Sequence, residues 1–539
     1  MLLRATMAAH RFDVVVIGGG HNGLVSAGLL AKRGLKVAVL EKKDVTGGAA
    51  ITEQPWGPSY KVTALSYVVS LLPPAILQEL ELHRFGYKVY PQHGYFAPQS
   101  DGRYLQMFED PAKRREQLGK FSSKDAAALD RWDAWLGNLA KVLGPMLSAV
   151  PPRFGSKKLG DLLDQASFAW RMRGLEPSQV ADLTRLMTLS VADLLDEYFE
   201  SPQLQGVLAV SGIIGTWAGP RSPGTAFVMS HHKIGDLGDG QPTGAWGFPE
   251  GGMGAVTKAM RLAAEGFGAK VFTNAPVAKI KVSDGRATGV VLENGDEFDA
   301  ETLIATTHPR VTFLQQLERS QLPEDFVAAI ERWRSRSGVV KVNLALDRLP
   351  EFKSKPGFDP EVHGGTIVFA ESIDEIETAF QDAVAGRAAV RPFADVCIPS
   401  VFDKTLAPEG QHIMSMFTQW VPHAWAKEPK PAELDAYADR VIDRMESYAP
   451  GFKSSILHRW VLGPHEMEQR YGLLGGNIFH GELSASQLFH LRPAPGYADF
   501  RTPIRGLYQA SSATHGGGGV TGIPALQVTK AILADGVKP

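Results

Sequence analysis

Hydrophobic residues near the start of the chain form two short continuous runs, separated by a stretch of helical composition. Residues 14–17 (VVVI) are β-branched, which is typical of a parallel strand buried on both faces. Residues 22–32 favour a helix that stops at Arg33 and Gly34, and residues 36–40 form the second apolar run. The pattern therefore predicts a strand, a tight turn, a helix and a second strand.

The pattern becomes helical between about residues 111 and 204. Apolar residues recur there at spacings of three and four, on one face of an amphipathic helix: Leu129, Trp132, Leu136, Leu139 and Leu143. We interpret Trp132 as a core residue rather than part of a ligand site. This segment predicts a helical insert.

A second α/β stretch begins near residue 251. It contains predicted strands at residues 270–273, 277–282, 287–292, 297–298 and 303–307. Turns at Asp284-Gly285 and Asn294-Gly295 join three of these strands into a β-meander. The last segment has a strand at residues 506–510, a glycine-rich loop and a helix from about Val520.

The turn after the first strand carries a GxGxxG pattern. Gly18 permits the tight turn, Gly20 lets the backbone approach a pyrophosphate, and Gly23 packs the helix against the strand. Glu41 closes the second strand, where a carboxylate accepts hydrogen bonds from ribose hydroxyls and repels a 2′-phosphate. Because the pattern follows a β-branched strand and opens a helix, it predicts dinucleotide binding.

Two glycines after Glu41, Gly47 and Gly48, favour FAD over NAD as this dinucleotide. NAD does not need such a pair, whereas a longer ligand that continues past the pyrophosphate would run beside it. Residues 14–49 resemble the flavin amine oxidase and phytoene desaturase superfamily. Residues 247–254 (GFPEGGMG) and 506–520 are similar to two further motifs of that superfamily, although Gly516 stands where relatives usually have proline.

These pieces stand at the start, in the middle and at the end of the chain. They predict an α/β fold with a discontinuous Rossmann-type FAD-binding domain, formed by residues 1–75, 243–312 and 500–539. Residues 76–242 and 313–499 are predicted to form an inserted α+β substrate domain with the helical insert.

A closer resemblance, from residue 13 to about residue 522, is to the pyridine nucleotide-disulfide oxidoreductase domain-containing protein 2 group within this superfamily. It is carried by residues 18–25, 230–232 and 475–480 (GGNIFH). The group's name does not describe the chemistry here, since a disulfide reductase needs a cysteine pair and the chain has one cysteine. We interpret that residue, Cys397, as a buried core thiol.

The resemblance and the motifs together imply a set of cofactor contacts. We expect FAD to contact Gly18, Gly20, Asn22, Gly23, Glu41, Lys42, Gly47, Gly48, Ala49, Val277, His515, Gly517, Gly519 and Val520. His515 is predicted to lie near the flavin as a structural hydrogen-bonding residue rather than as a base.

Candidate catalytic residues are scarce because the flavin itself performs the redox chemistry. We select His480, which lies between glycines, and His232, which follows an apolar run. The alternative for both is a packed histidine that satisfies a buried carbonyl. No set of acids and histidines at ligand spacing predicts a metal site.

The sequence predicts an FAD-dependent oxidoreductase, similar to phytoene desaturases, that acts on a C–C bond of an apolar small molecule. An amine oxidase and a flavoprotein scaffold with little turnover remain alternatives. The net charge of −2 gives no basic field for nucleic acid. We expect possible peripheral membrane contact near residues 65–80, and an unknown oligomeric state. The expected compartment is the cytoplasm, or the mitochondrial matrix if the acid-free residues 1–11 belong to a eukaryotic targeting segment.

Overall fold

The fold was determined as a computed structural model that describes residues 10–232, 235, 237 and 244–538. Residues 1–9, which carry most of the argument for the mitochondrial alternative, lie outside the described residues, as does the side chain of His231. Within the described ranges, no helix is both long enough and apolar enough to cross a membrane.

A parallel sheet forms the centre of the nucleotide-binding part. In the described chain its five strands lie in the order β10, β3, β2, β14, β20, and they comprise Val14–Ile17 (β2), Val37–Leu40 (β3), Lys270–Phe272 (β10), Thr302–Ala305 (β14) and Leu507–Gln509 (β20). Alternate residues of β2 enter different cores, with Val14 on one face of the sheet and Val15 on the other. The strand is therefore buried on both faces, as its β-branched sequence predicts.

The helices bounded by the structure are distributed along the whole chain. They are His21–Ala31 (α1), Pro74–Glu79 (α2), Pro111–Gly119 (α3), Ser123–Ser148 (α4), Leu159–Met172 (α5), Pro177–Thr188 (α6), Val191–Asp196 (α7), Pro202–Ala209 (α8), Thr225–His231 (α9), Met253–Gly266 (α10), Pro309–Leu314 (α11), Glu324–Arg332 (α12), Pro360–His363 (α13), Ile373–Val384 (α14), Pro431–Tyr448 (α15), Pro464–Tyr471 (α16) and Ile523–Ala534 (α17). Helices α1, α10 and α17 cover one face of the parallel sheet.

A meander sheet covers the opposite face. Its strands are His10–Arg11 (β1), Val277–Ser283 (β11), Arg286–Leu292 (β12) and Glu297–Asp299 (β13). The predicted turns have the backbone they require, because Asp284 and Gly295 both have positive φ angles. The meander is thus confirmed, with β1 added in parallel to β13.

A larger mixed sheet lies beyond the cofactor half. In the described chain it has seven strands: Tyr95–Pro98 (β7), Tyr104–Met107 (β8), Val339–Leu346 (β15), Thr366–Phe369 (β16), Phe393–Cys397 (β17), His412–Gln419 (β18) and Ile456–Leu462 (β19). Short pairs are formed by Thr52–Glu53 (β4) with Val62–Thr63 (β5) and by Val89–Pro91 (β6) with Gly247–Pro249 (β9).

The predicted α/β fold class is confirmed by the parallel sheet and its covering helices. Strands of the parallel sheet come from the segments assigned to the cofactor domain, and strands of the mixed sheet come from the other two segments. The limits of the two domains stay a prediction.

Two expectations from the sequence differ from the structure. The last helix begins at Ile523 rather than near Val520, because Val520 (φ 58°) and Gly522 (φ 63°) have left-handed backbone that cannot continue into a helix. The stretch at residues 65–80, proposed for membrane contact, is largely buried: Leu65, Leu72 and Leu80 belong to hydrophobic cores.

Candidate active site

The glycine turn between β2 and α1 has the geometry of a phosphate-binding loop. Gly18 has a φ of 102°, which favours glycine, and a Cβ on Gly23 would stand 2.0 Å from the carbonyl oxygen of Gly18. Gly23 therefore has to be glycine for α1 to pack against the turn. The N-terminus of α1 begins at His21, directly after Gly20, so its free backbone amides face the same space.

Glu41 is held at the end of β3 by the glycine turn itself. The amide of Gly19 donates a hydrogen bond to Oε2 of Glu41 (2.7 Å), and the amide of Lys43 donates to Oε1 (3.0 Å). Each carboxylate oxygen keeps a further lone pair for a ribose hydroxyl. The carboxylate is thus oriented before any ligand arrives.

FAD is tested against this site by the space and the polar atoms the chain leaves open. A Cβ on Gly20 would have the Cα of Gly48, at 4.0 Å, as its nearest neighbour, so it would point into open space. Two buried atoms beside this space, Nε2 of His21 and Oδ1 of Asn22, have no hydrogen-bond partner in the described part of the chain. An open backbone cradle with unsatisfied polar atoms fits a dinucleotide.

The cradle belongs to a cavity of about 720 Å³ that also reaches the mixed sheet. Predicted cofactor residues that line it are Gly18, Gly20, Asn22, Glu41, Lys42, Gly47, Gly48, Ala49, Val277, Gly519 and Val520. As the described residues form it, the cavity is not lined by Gly23, His515 or Gly517. Direct contact of each lining residue with FAD stays a prediction.

His515 lies behind the glycine loop instead of facing the cavity. Its Nε2 is 3.0 Å from the carbonyl oxygen of Met146 at the end of α4, and its ring packs on Phe489. Burial lowers its pKa to about 4, so the ring is neutral near pH 7 and Nε2 can donate to that carbonyl. Its structural hydrogen bond attaches the helical insert to the loop, which explains why its contact with the flavin is not seen.

His480 lines the cavity in a backbone conformation that is unusual for histidine. Its φ is 58°, and its carbonyl accepts a hydrogen bond from the indole of Trp333 (2.8 Å). Nδ1 has no hydrogen-bond partner among the described residues and is free for a ligand. Burial, with the charge of Arg492, lowers the pKa of His480 to about 4. The expectation of proton transfer near neutral pH is therefore wrong for this residue, although a neutral imidazole can still form hydrogen bonds.

His232 also lines the cavity, but its ring is engaged. Nδ1 lies 2.8 Å from the carbonyl oxygen of Val228, one helical turn earlier in α9. The ring is near Trp246 and Phe479, which line the same cavity. The structure thus supports the packing alternative for one edge of this ring.

A buried ionisable cluster lies in the cavity wall formed by the mixed sheet. The Nζ of Lys341 on β15 stands 3.6 Å from the ring centroid of Tyr67, and the Tyr67 hydroxyl donates to Oδ1 of Asp395 on β17 (2.8 Å). Burial lowers the pKa of Lys341 to about 7 and raises the pKa of Asp395 to about 6. Both groups can therefore change protonation close to neutral pH.

Sequence reasoning missed this cluster, although a signal was present. Lys341 interrupts the otherwise apolar run of residues 339–346, and Asp395 interrupts the run around Cys397. A charged residue inside a buried strand is rare unless it has a role or a partner. Cys397 is fully buried, as predicted.

The rest of this cavity wall is apolar and aromatic. It includes Leu65, Leu71, Ile214, Val339, Phe417, Ile478 and Phe479. In the described chain, no group of three or more His, Cys, Asp or Glu side chains could hold a metal ion.

Comparison with known proteins gives a family match over most of the chain. The model of the family "Flavin containing amine oxidoreductase" matches residues 23–524. Pyridine nucleotide-disulfide oxidoreductase domain-containing protein 2 of Rattus norvegicus is 38% identical over 97% of this chain and 94% of the rat protein. A limonene dehydrogenase chain of Castellaniella defragrans is 25% identical over 94% of this chain and 92% of that protein.

Among solved structures, a triple mutant of putrescine oxidase has a similar fold. Its TM-score is 0.63 at 16% identity, over 98% of this chain and 100% of the other. At this identity the likeness concerns the fold alone.

The glycine cradle, the oriented Glu41 and the adjoining closed compartment define an FAD-dependent oxidoreductase. The chain belongs to the flavin-containing amine oxidoreductase family, as the motifs predict. Within it, the predicted resemblance to the pyridine nucleotide-disulfide oxidoreductase domain-containing protein 2 group is confirmed.

Proposed function

We propose that this oxidoreductase dehydrogenates a C–C bond of an apolar small molecule. The observation that carries the proposal is the apolar and aromatic cavity wall, with its buried Lys341–Tyr67–Asp395 cluster, next to the cofactor cradle. Such a wall binds a substrate through excluded water rather than through paired charges. The relative that is named a limonene dehydrogenase supports a hydrocarbon as the substrate class.

Forming a C=C bond removes a hydride and a proton from adjacent carbons. Bound FAD supplies the hydride acceptor. The proton needs a base, and Lys341 is suited to this role because burial brings its pKa to about 7. His480, with its pKa of about 4, is a weaker base and is assigned to hydrogen bonding.

An amine oxidase is the second candidate, favoured by the family and by a carboxylate in the cavity. Asp395 is the group that an ammonium substrate would pair with. However, it already accepts a hydrogen bond from Tyr67, and the positive charge of Lys341 acts on it. An ammonium entering this compartment would be repelled by a protonated Lys341, so the arrangement favours an uncharged substrate.

Anaerobic stopped-flow reduction of the FAD-loaded protein tests the proposal. Cyclic and linear terpenes form one substrate panel, and primary amines and diamines form the other. We expect loss of the oxidised flavin absorbance with a member of the first panel, and a product with one additional double bond. Rapid reduction by an amine with release of an aldehyde would assign the second candidate instead. Reduction by neither panel, with full FAD occupancy, would favour the scaffold alternative.

A further inference from the structure

Helix α5 turns its apolar face outward. Its leucines and tryptophan recur with helical spacing at Leu159, Leu162, Leu163 and Trp170, which places them within about 120° of the helix circumference at 3.6 residues per turn. Leu159, Leu163 and Trp170 are 75%, 63% and 64% exposed, and none of the described residues of α5 is buried. A surface helix of a globular protein normally turns this face to the core.

The inward side of α5 is the more polar one. Asp161, Gln165, Phe168 and Met172 are half-buried there, and the side-chain amide of Gln165 donates to the carbonyl of Arg153 (2.7 Å). Phe168 packs against Phe489 of the segment before the glycine loop. The helix is therefore attached through its polar side, and its apolar stripe has no cover among the described residues.

Exposed cations flank both ends of the stripe. Lys157 and Lys158 precede the helix, and Arg171 and Arg173 lie at its end, all with exposed side chains. Asp164 is about 120° to 160° away from the leucine and tryptophan positions Leu159, Leu163 and Trp170 by helical geometry. The stripe thus combines Leu and Trp with basic ends, which is the composition of helices that lie in a membrane interface.

A second copy of this chain is the alternative cover, and the charges disfavour it. If two stripes packed against each other, parallel or antiparallel, a basic end would meet a basic end in either arrangement. Like charges placed opposite each other repel, whereas anionic lipid headgroups neutralise both ends of one helix.

We propose that the apolar stripe of α5 is a docking surface for an anionic lipid bilayer. The helix lies parallel to the membrane plane, its leucines and Trp170 enter the headgroup–acyl boundary, and the flanking lysines and arginines contact lipid phosphates. This surface replaces residues 65–80 as the site of membrane contact, since that stretch is buried. The docking does not depend on the substrate proposed above.

Vesicle flotation of the full-length, FAD-loaded protein tests the docking surface. One vesicle preparation contains phosphatidylcholine alone and the other contains phosphatidylcholine with phosphatidylglycerol. The stripe variant carries Leu159→Gln and Leu163→Gln. The matched control carries Phe358→Gln and Val390→Gln, which remove two apolar side chains that are 65% and 69% exposed elsewhere on the surface.

We expect the wild type and the control to float with vesicles that contain phosphatidylglycerol. The stripe variant should bind at least about tenfold more weakly, because it buries less apolar area. Lys157→Ala with Lys158→Ala should weaken binding by roughly tenfold to thirtyfold on these vesicles, and have little effect on phosphatidylcholine alone. Unchanged melting temperature and flavin absorbance show that each variant is folded.

Equal flotation of wild type and stripe variant, or no flotation of the wild type, overturns the proposal. Light scattering after size-exclusion chromatography identifies the rival cover. A wild-type dimer that becomes monomeric in the stripe variant, without vesicle binding by either protein, would assign the surface to a second copy.

Discussion

Gly20 and Gly48 face each other across the entrance of the cofactor cradle: a Cβ on Gly20 would lie 4.0 Å from the Cα of Gly48, and a Cβ on Gly48 would lie 3.3 Å from the Cα of Gly20. The two backbones are brought together by the amide of Gly47, which donates to the carbonyl of Gly19 (2.9 Å). The absence of side chains at both positions keeps this space open to a ligand.

Gly20→Val should give a folded protein without FAD. The φ of Gly20 is −72°, which valine adopts, so the backbone is not strained, but the added methyl groups occupy the ligand's space. The absorbance of flavin released on denaturation measures the occupancy. Gly137→Val, at an exposed helical glycine with no heavy atom within 4 Å of the added Cβ, is the control and should keep FAD. Full FAD occupancy in Gly20→Val would contradict the assignment of the cradle.

His480→Ala should retain FAD and slow flavin reduction by substrate about tenfold, the effect of one lost hydrogen bond of roughly 1.4 kcal/mol. His480→Asn separates this effect from backbone strain, because asparagine tolerates the φ of 58°. Single-turnover reduction and melting temperature are measured on the same preparations. Because burial holds the pKa of His480 near 4, its contribution to the rate should be constant between pH 6 and pH 8. A lower melting temperature with an unchanged rate would leave His480 a structural role only.

Lys341→Met should remove a pH dependence of flavin reduction near neutrality. The wild-type rate should rise with pH through about 7, because the uncharged amine accepts the substrate proton and burial lowers the pKa of Lys341 to about 7. The variant should be slower and should lack this step in the profile. Its stability at pH 7 should not fall, since a buried amine without a hydrogen-bond partner among the described residues is replaced by an apolar chain. An identical pH profile in both proteins would exclude Lys341 as the base.

Cys397 should be inert, and the protein should not reduce disulfides with either nicotinamide cofactor. The thiol is fully buried on β17, and burial raises its pKa far above the usual range, so almost no thiolate exists at pH 7. In a thiol-reagent assay the folded protein should react slowly and the denatured protein rapidly. Cys397→Ala should keep FAD and flavin reduction. Disulfide reductase activity that survives this substitution would show a reductase site of a different kind.

Local sequence rules were sufficient for the cofactor cradle. Glycines at positions 18, 20 and 23, the β-branched strand before them and the carboxylate at Glu41 each follow from backbone conformation and close approach over a few residues. The meander was predictable for the same reason, since its turns need the positive φ of Asp284 and Gly295. The final helix start was misplaced because the left-handed backbone of Val520 depends on the loop around it.

Tertiary structure alone decided the chemistry of the cavity and the direction of α5. Lys341, Tyr67 and Asp395 come from distant parts of the chain and meet only through the pairing of strands in the mixed sheet. The protonation of His480 depends on burial and on Arg492, and neither can be deduced from its glycine neighbours. Periodicity identifies an apolar stripe on α5, but which side faces solvent is set by packing against other segments, because the period of a helix carries no information about where the core lies.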